Sequence, residues 1–186
     1  MKFSLTFPLI LVFASCSTVD QQSDQSSRAV AGTQKITLVS HTTDGVTEVK
    51  KLIASDREVV VSLSWRKYSA ALDSSISEWY GDMARPPAKY VAKSLSVTID
   101  ERRVEIPESK YRYLGSQWMN DIKQIGVLEN AQDSSRDGDL LYFYINLGDG
   151  SESWVASYAI DLVSGVLVSH EIHDAVSFHN GIGSRG

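Results

Sequence analysis

From residue 36 onward, apolar and polar residues alternate along most of the chain, the pattern of strands buried on one face. Ile36, Leu38 and Ser40 fall on one side of such a strand, Thr37 and Val39 on the other. The run Val59-Val60-Val61-Ser62-Leu63-Ser64-Trp65 continues the theme with β-branched and aromatic side chains, which favour a pleated surface. Between them, Val46, Val49 and Ile53 recur at helical spacing, although a strand pair turning at Ser55-Asp56 fits the same residues, and both readings stand. From Tyr68 to Tyr80, apolar residues at 68, 71, 72, 76, 79 and 80 predict a helix lying on a sheet, with Trp79 and Tyr80 as core wedges. That helix should end near Gly81, and Arg85-Pro86-Pro87 then requires an extended connection.

Further on, Ser94–Ile99 and Val104–Ile106 flank Asp100-Glu101-Arg102-Arg103 as a hairpin that Pro107 closes. Ile125 and Val127 alternate ahead of a polar loop, residues 131–139. Leu140–Leu147 is a strongly apolar strand with an expected interior position, and Phe143 must face away from Tyr142 and Tyr144. Trp154–Ile160 and Val166–Ile172 follow across short Gly-containing turns, which makes an antiparallel meander. The expected fold class is α+β, mostly β: an antiparallel sheet or meander with one or two packed helices. Strands do not alternate with helices, which argues against a doubly wound nucleotide-binding fold.

The N-terminal run MKFSLTFPLILVFASC has a different pattern, with a basic start, a short apolar stretch and small residues before the chain's one cysteine. It reads as an export signal, residues 1–15, too short and too interrupted by Pro8 to span a bilayer. Phe13-Ala14-Ser15-Cys16 resembles the lipobox of bacterial lipoproteins, with Phe13 where leucine is usual. The resemblance implies acylation of Cys16, a bilayer as partner and, with Ser17 next, the periplasmic face of an outer membrane. Cleavage after Ala14 is the alternative, and it would leave a soluble secreted or periplasmic chain with a free thiol. Residues 16–34 are rich in Ser, Gln, Asp and Thr and form a tether, with a reach of about 23 Å as a flexible coil. Residues 35–178 carry the composition of one globular domain, and 179–186 read as a flexible tail.

Charge narrows the partners. The whole chain carries 18 basic and 23 acidic residues, and loss of Lys2 with the signal leaves 17 against 23, or −6. Such a balance argues against nucleic acid as a partner. The only basic pair in a turn, Arg102-Arg103, is flanked by acids and reads as a solvated turn. An acylated Cys16 removes thiol catalysis, and a single cysteine permits no internal disulfide.

Candidate chemistry is sparse. Asp149 in Gly148-Asp149-Gly150 suggests a calcium loop, but the spacing of an EF-hand is missing, and Asp-Gly suits any tight turn. His170, His173 and His179 lie close together, yet residues three apart on a strand face opposite ways, so His170 and His173 should not share a metal ion. A surface strand ending in a polar tail is the preferred reading. No G-x-S-x-G, P-loop or G-x-G-x-x-G motif is present, so no catalytic residue is named and no cofactor is expected. The aromatic set Trp65, Trp79, Trp118, Tyr142, Phe143, Tyr144, Trp154 and Tyr158 supplies either a core or a wall for an apolar or saccharide ligand. The resulting expectation is an anchored, non-catalytic binding or envelope-associated module. Its alternatives are a periplasmic hydrolase or metal-dependent enzyme, signalled by His170, His173 or His179 meeting Asp149, Glu171 or Asp174, and a subunit or inhibitor of an envelope complex.

Overall fold

The structure is a computed structural model, and it describes residues 36–81, 87–117, 124–128, 139–148 and 153–183. Cys16, Trp118 and Asp149 lie outside these residues. The fold is α+β and mostly β, built from antiparallel strands. In chain order, β1 is Ile36–Thr43, β2 Thr47–Ala54, β3 Arg57–Lys67, α1 Ala70–Asp73, β4 Tyr90–Ile99 and β5 Arg102–Val104. A 3-10 turn, Glu108–Lys110, precedes β6 (Gly115–Ser116), β7 (Ile125–Val127), β8 (Leu140–Asn146), β9 (Trp154–Asp161), β10 (Val166–Asp174) and α2 (Ala175–Gly183). One sheet runs β1-β2-β3-β4-β5, with β6 also on β4; the other runs β10-β9-β8-β7.

The two sheets enclose a shared core, and the period-2 pattern of each strand decides what enters it. Leu52 and Ala54 of β2, with Val59, Val61, Leu63 and Trp65 of β3, point inward from the first sheet. They meet Leu141, Phe143 and Ile145 of β8 and Ala156, Tyr158 and Ile160 of β9. In β4 the register with β3 shifts between Ser64 and Trp65, so inward positions pass from Ala92 to Leu95, Val97 and Ile99. Phe143 is fully buried and stacks on Tyr158 at 4.9 Å, whereas Tyr144 lies on the opposite face with Phe178.

Two hairpins turn through pairs of non-glycine residues at positive φ, Ser55 (48°) and Asp56 (60°), then Asp100 (48°) and Glu101 (67°). Positive φ at both central positions marks the turn type whose twist suits a two-residue hairpin. The segment left open between helix and strand is therefore β2, paired with β3 through Ser55-Asp56. The second hairpin is tighter than expected, with Arg102 and Arg103 already in β5 rather than in the turn. Asp100 ties the two turns together, accepting from Arg57 at 2.8 Å and from the Glu58 N–H at 3.0 Å.

Two expectations are corrected. The helix predicted over Tyr68–Tyr80 is a single turn, Ala70–Asp73. Leu72, at the centre of its apolar stripe, is 66% exposed, and Tyr80 instead forms a parallel bridge with Leu114. The apolar residues of that stretch are used separately: Tyr68 packs on Trp79, and Tyr80 packs on Tyr113 and Trp154. The expected tail is also helical through Gly183, because Asp174 accepts the Ser177 N–H at 2.7 Å and opens α2. Ala175 and Phe178, three apart on that helix, close over Val155, Tyr144 and Leu128 on the outer face of the second sheet.

Candidate functional site

Two sheets in contact leave two seams, and polar side chains close both. At the first, β7 is an edge strand. Its bonds to β8 fall at alternate residues: Gln124 O accepts from Asn146 N at 2.8 Å, and Leu128 N donates to Tyr142 O at 3.0 Å. Ile125 therefore turns its N–H and C=O toward the open edge. Glu48 of β2, only 4% exposed, receives that N–H at 3.1 Å and 3.2 Å on its two oxygens, and the Gln124 N–H at 2.8 Å. Lys50, two residues along the same face, donates to the Ile125 carbonyl. His41 of β1 completes the cluster, its Nε2 being 2.7 Å from Glu48 Oε1.

The opposite seam lies where the 3-10 turn and the residues after it meet β9 and β10. The Lys110 carbonyl accepts from the Tyr158 hydroxyl at 2.9 Å and lies 3.1 Å from that of Tyr113. Tyr113 Oη is also 2.7 Å from His170 Nε2. The rings continue the contact, His170 standing 4.8 Å from Tyr158 and 6.0 Å from Tyr113. Burial moves all three groups toward their neutral forms. Tyr113 is pushed up to about 12 with help from neighbouring Tyr80, and Tyr158 is raised well above the ordinary phenol value. His170 is pushed down to about 4, by burial first and then by the charges of Lys110 and His173. Tyr80 and Trp154 extend the aromatic series outward from Tyr113, at 5.4 Å and 5.2 Å between successive rings.

The histidines singled out in the sequence are thus divided. His170 is half-buried at the seam, not on a free surface, and His173 is on the other face of β10 with Ser157 and Phe178. His179 lies on α2 against Tyr144 and Phe178. Among the described residues, no three His, Cys, Asp or Glu side chains gather around one point. Glu171 and Ser157 do approach His173, at 3.5 Å and 2.9 Å, but both approach the same nitrogen, Nε2. A nucleophile relay needs the acid on the far nitrogen, so this pair gives Ser157 no oriented base. Asp174 is occupied as the cap of α2.

A third polar cluster was not visible beforehand. Asp73, at the end of α1, accepts both guanidinium nitrogens of Arg66, at 2.7 Å and 2.6 Å, and the Ser69 N–H at 2.8 Å. The Arg66 bond holds its carboxyl below the usual carboxylate range, so its contribution to stability is present at neutral pH and fades only as pH falls through that lowered value. The Asp73 side chain is 3% exposed and that of Arg66 31%, so water screens one side of the pair. Asp73→Ala should lower stability by about 2 kcal/mol at neutral pH, read as a shift in urea midpoint, with the deficit shrinking in strong acid.

Comparison of the chain with protein families, with characterised proteins and with solved structures found no match. The domain is thus defined by its own construction: two antiparallel sheets around one core, with a carboxylate clasp at one seam and a Tyr–His joint at the other. Among the described residues, no helix is long and apolar enough to cross a membrane.

Proposed function

We propose that the chain is an exported lipoprotein, held to a membrane through acyl groups on Cys16, whose two-sheet domain acts as a non-catalytic binding or envelope-associated module. The run MKFSLTFPLILVFASC carries this reading, since the basic start, short apolar stretch and small residues before a cysteine are the requirements for export and lipid attachment. Several acyl chains, at about 0.8 kcal/mol per buried methylene, would hold the chain firmly, where one chain holds only weakly. The outer membrane's periplasmic face is the proposed location, given Ser17 after the cysteine. The domain's internal chemistry is consistent with a module that holds its shape: the buried carboxylates Glu48 and Asp73 are each bound to backbone N–H groups of the fold.

Expression in a Gram-negative host, with intact mass and membrane fractionation beside a Cys16→Ala variant, tests the proposal. The expected mass is that of residues 16–186 plus acyl groups, with the wild-type chain in the membrane fraction and the variant uncleaved or soluble. An unmodified soluble chain beginning after Ala14 would overturn the anchor and make a diffusible factor the better reading.

A further inference from the structure

We propose that the joint formed by Tyr113, Tyr158, the Lys110 carbonyl and His170 is an acid-released latch: one proton taken up by His170 frees the segment Glu108–Tyr113 from β10 while the remaining core stays packed. The inference concerns the domain alone and holds whether or not Cys16 is acylated.

The placement of the joint makes it releasable. β10 is the edge strand of its sheet, bonded to β9 on one side only. The Glu108–Tyr113 segment lies between β5 and β6, strands of three and two residues, with its far end held by the Tyr80 N–H on the Tyr113 carbonyl at 3.1 Å. The Tyr113–His170 bond joins the segment to β10, the Tyr158–Lys110 bond joins it to β9, and Arg102 of β5 reaches the Val163 carbonyl of the β9–β10 turn at 3.0 Å.

The surroundings of the imidazole make it acid-sensitive. The groups facing His170 are Tyr113, Tyr158 on β9 and Lys110 on the 3-10 turn, while His173, on the far face of the same strand, acts on it through its charge alone. Two are phenols held neutral by burial, and two oppose added positive charge. Glu171 approaches His173 instead, and Glu108 acts on Tyr111 and Arg66. A protonated His170 therefore gains no carboxylate and loses hydration, and moving into water relieves both costs. The sign follows from the lowered value. The free imidazole titrates at about 6.5 and the latched one at about 4, so the closed joint is fully stable above the first and weakens as pH falls toward the second. Opening exposes Tyr158 and the Phe143 ring stacked on it, which are otherwise buried.

Hydrogen exchange of the chain as isolated, at neutral pH and at about pH 4 with intrinsic rates corrected, tests the latch. The expected result is a loss of protection of about tenfold or more in residues 108–113 and in β10, with Val59–Trp65 of β3 unchanged. His170→Gln should remove the acid-specific loss, and His173→Gln should keep it. Uniform protection at both pH values, simultaneous loss across the whole domain, or an unchanged response in His170→Gln would each overturn the proposal. Should that variant not fold, titration of wild type by nuclear magnetic resonance decides: the His170 ring must titrate near 4 together with the Tyr113 and Tyr158 ring signals, and a midpoint near 6.5 or unlinked ring signals sinks the idea.

Discussion

Glu48→Ala is expected to cost about 3–5 kcal/mol of folding stability, a large part of the 5–15 kcal/mol that holds an ordinary domain together. The reason is the identity of its partners. An ion pair inside a core is often replaced by apolar residues without loss, because both charges leave together. Glu48 instead serves the N–H groups of Gln124 and Ile125, which belong to the backbone and cannot be mutated away. Removing the carboxylate strands two buried donors, leaves His41 without its 2.7 Å partner, and takes from the open edge of β7 one of the two β2 side chains bound to it, Lys50 being the other. Glu48→Met, which restores most of the volume, should therefore remain costly, at about 2 kcal/mol or more. Glu48→Gln keeps one accepting oxygen and should fall between wild type and Ala. Urea midpoints followed by tryptophan fluorescence supply the comparison. Added salt should change the ranking little, because the cluster is buried. A Met variant as stable as wild type would show that β7 is held by its β8 pairing and not by the clasp.

The strands were legible because one face of each is buried, so burial and sequence share a period of two residues. Leu140–Leu147, Trp154–Ile160 and Val166–Ile172 match β8, β9 and β10 nearly residue for residue. The opposed faces of Phe143 and Tyr144, and of His170 and His173, follow from the same parity. The Tyr68–Tyr80 stripe misled because helical spacing records only that apolar groups recur, and here the far end of the stretch is extended, Tyr80 pairing with Leu114 and bonding to Tyr113 and Gly115. The helical end of the chain was missed for the opposite reason. Its two anchors, Ala175 and Phe178, are followed by Gly181 and Gly183, which read as tail composition. A clearer signal was available in Asp174 three residues before Ser177, a capping position.

Neither seam could be read from the chain, and distance along the sequence explains why. Glu48 reaches Ile125 across 77 positions and Tyr113 reaches His170 across 57. A lone glutamate in a strand of alternating residues looks solvent-facing, and nothing local says that its partners are backbone groups of a distant edge. His170 was assigned to a surface strand on the same grounds, since only the arrival of Tyr113 and Tyr158 buries it. The two seams also differ in kind. The first is closed by a charged group bound to fixed backbone donors, the second by side chains whose bonds change with one proton. Because the seams differ in kind, local exchange rather than global melting separates the two.

Gly81→Ala is the other substitution expected to cost heavily, about 3 kcal/mol, and its cause is a meeting of two backbones. Tyr80 accepts from the Gly115 N–H at 2.9 Å and donates to Tyr113 O at 3.1 Å, which lays the end of the Tyr68–Tyr80 segment beside β6. A Cβ on Gly81 would stand 1.8 Å from the Gly115 carbonyl oxygen and 2.9 Å from its carbon, with φ at +154°. No side-chain rotation relieves a clash with peptide atoms, so the segment must move away. That movement takes with it the Tyr80 ring, which stands against both Tyr113 and Trp154. Near-ultraviolet dichroism should therefore change along with the thermal midpoint. Gly45→Ala is the matched control, because it sits at φ +85° with nothing within 4 Å of the added carbon and pays only for its backbone angle, about 1 kcal/mol. The difference between the two variants isolates the close approach of residues 80–81 to β6. Equal losses would mean that this contact contributes nothing beyond the conformational cost, and that the aromatic series from Trp154 to Tyr113 is held by ring packing alone.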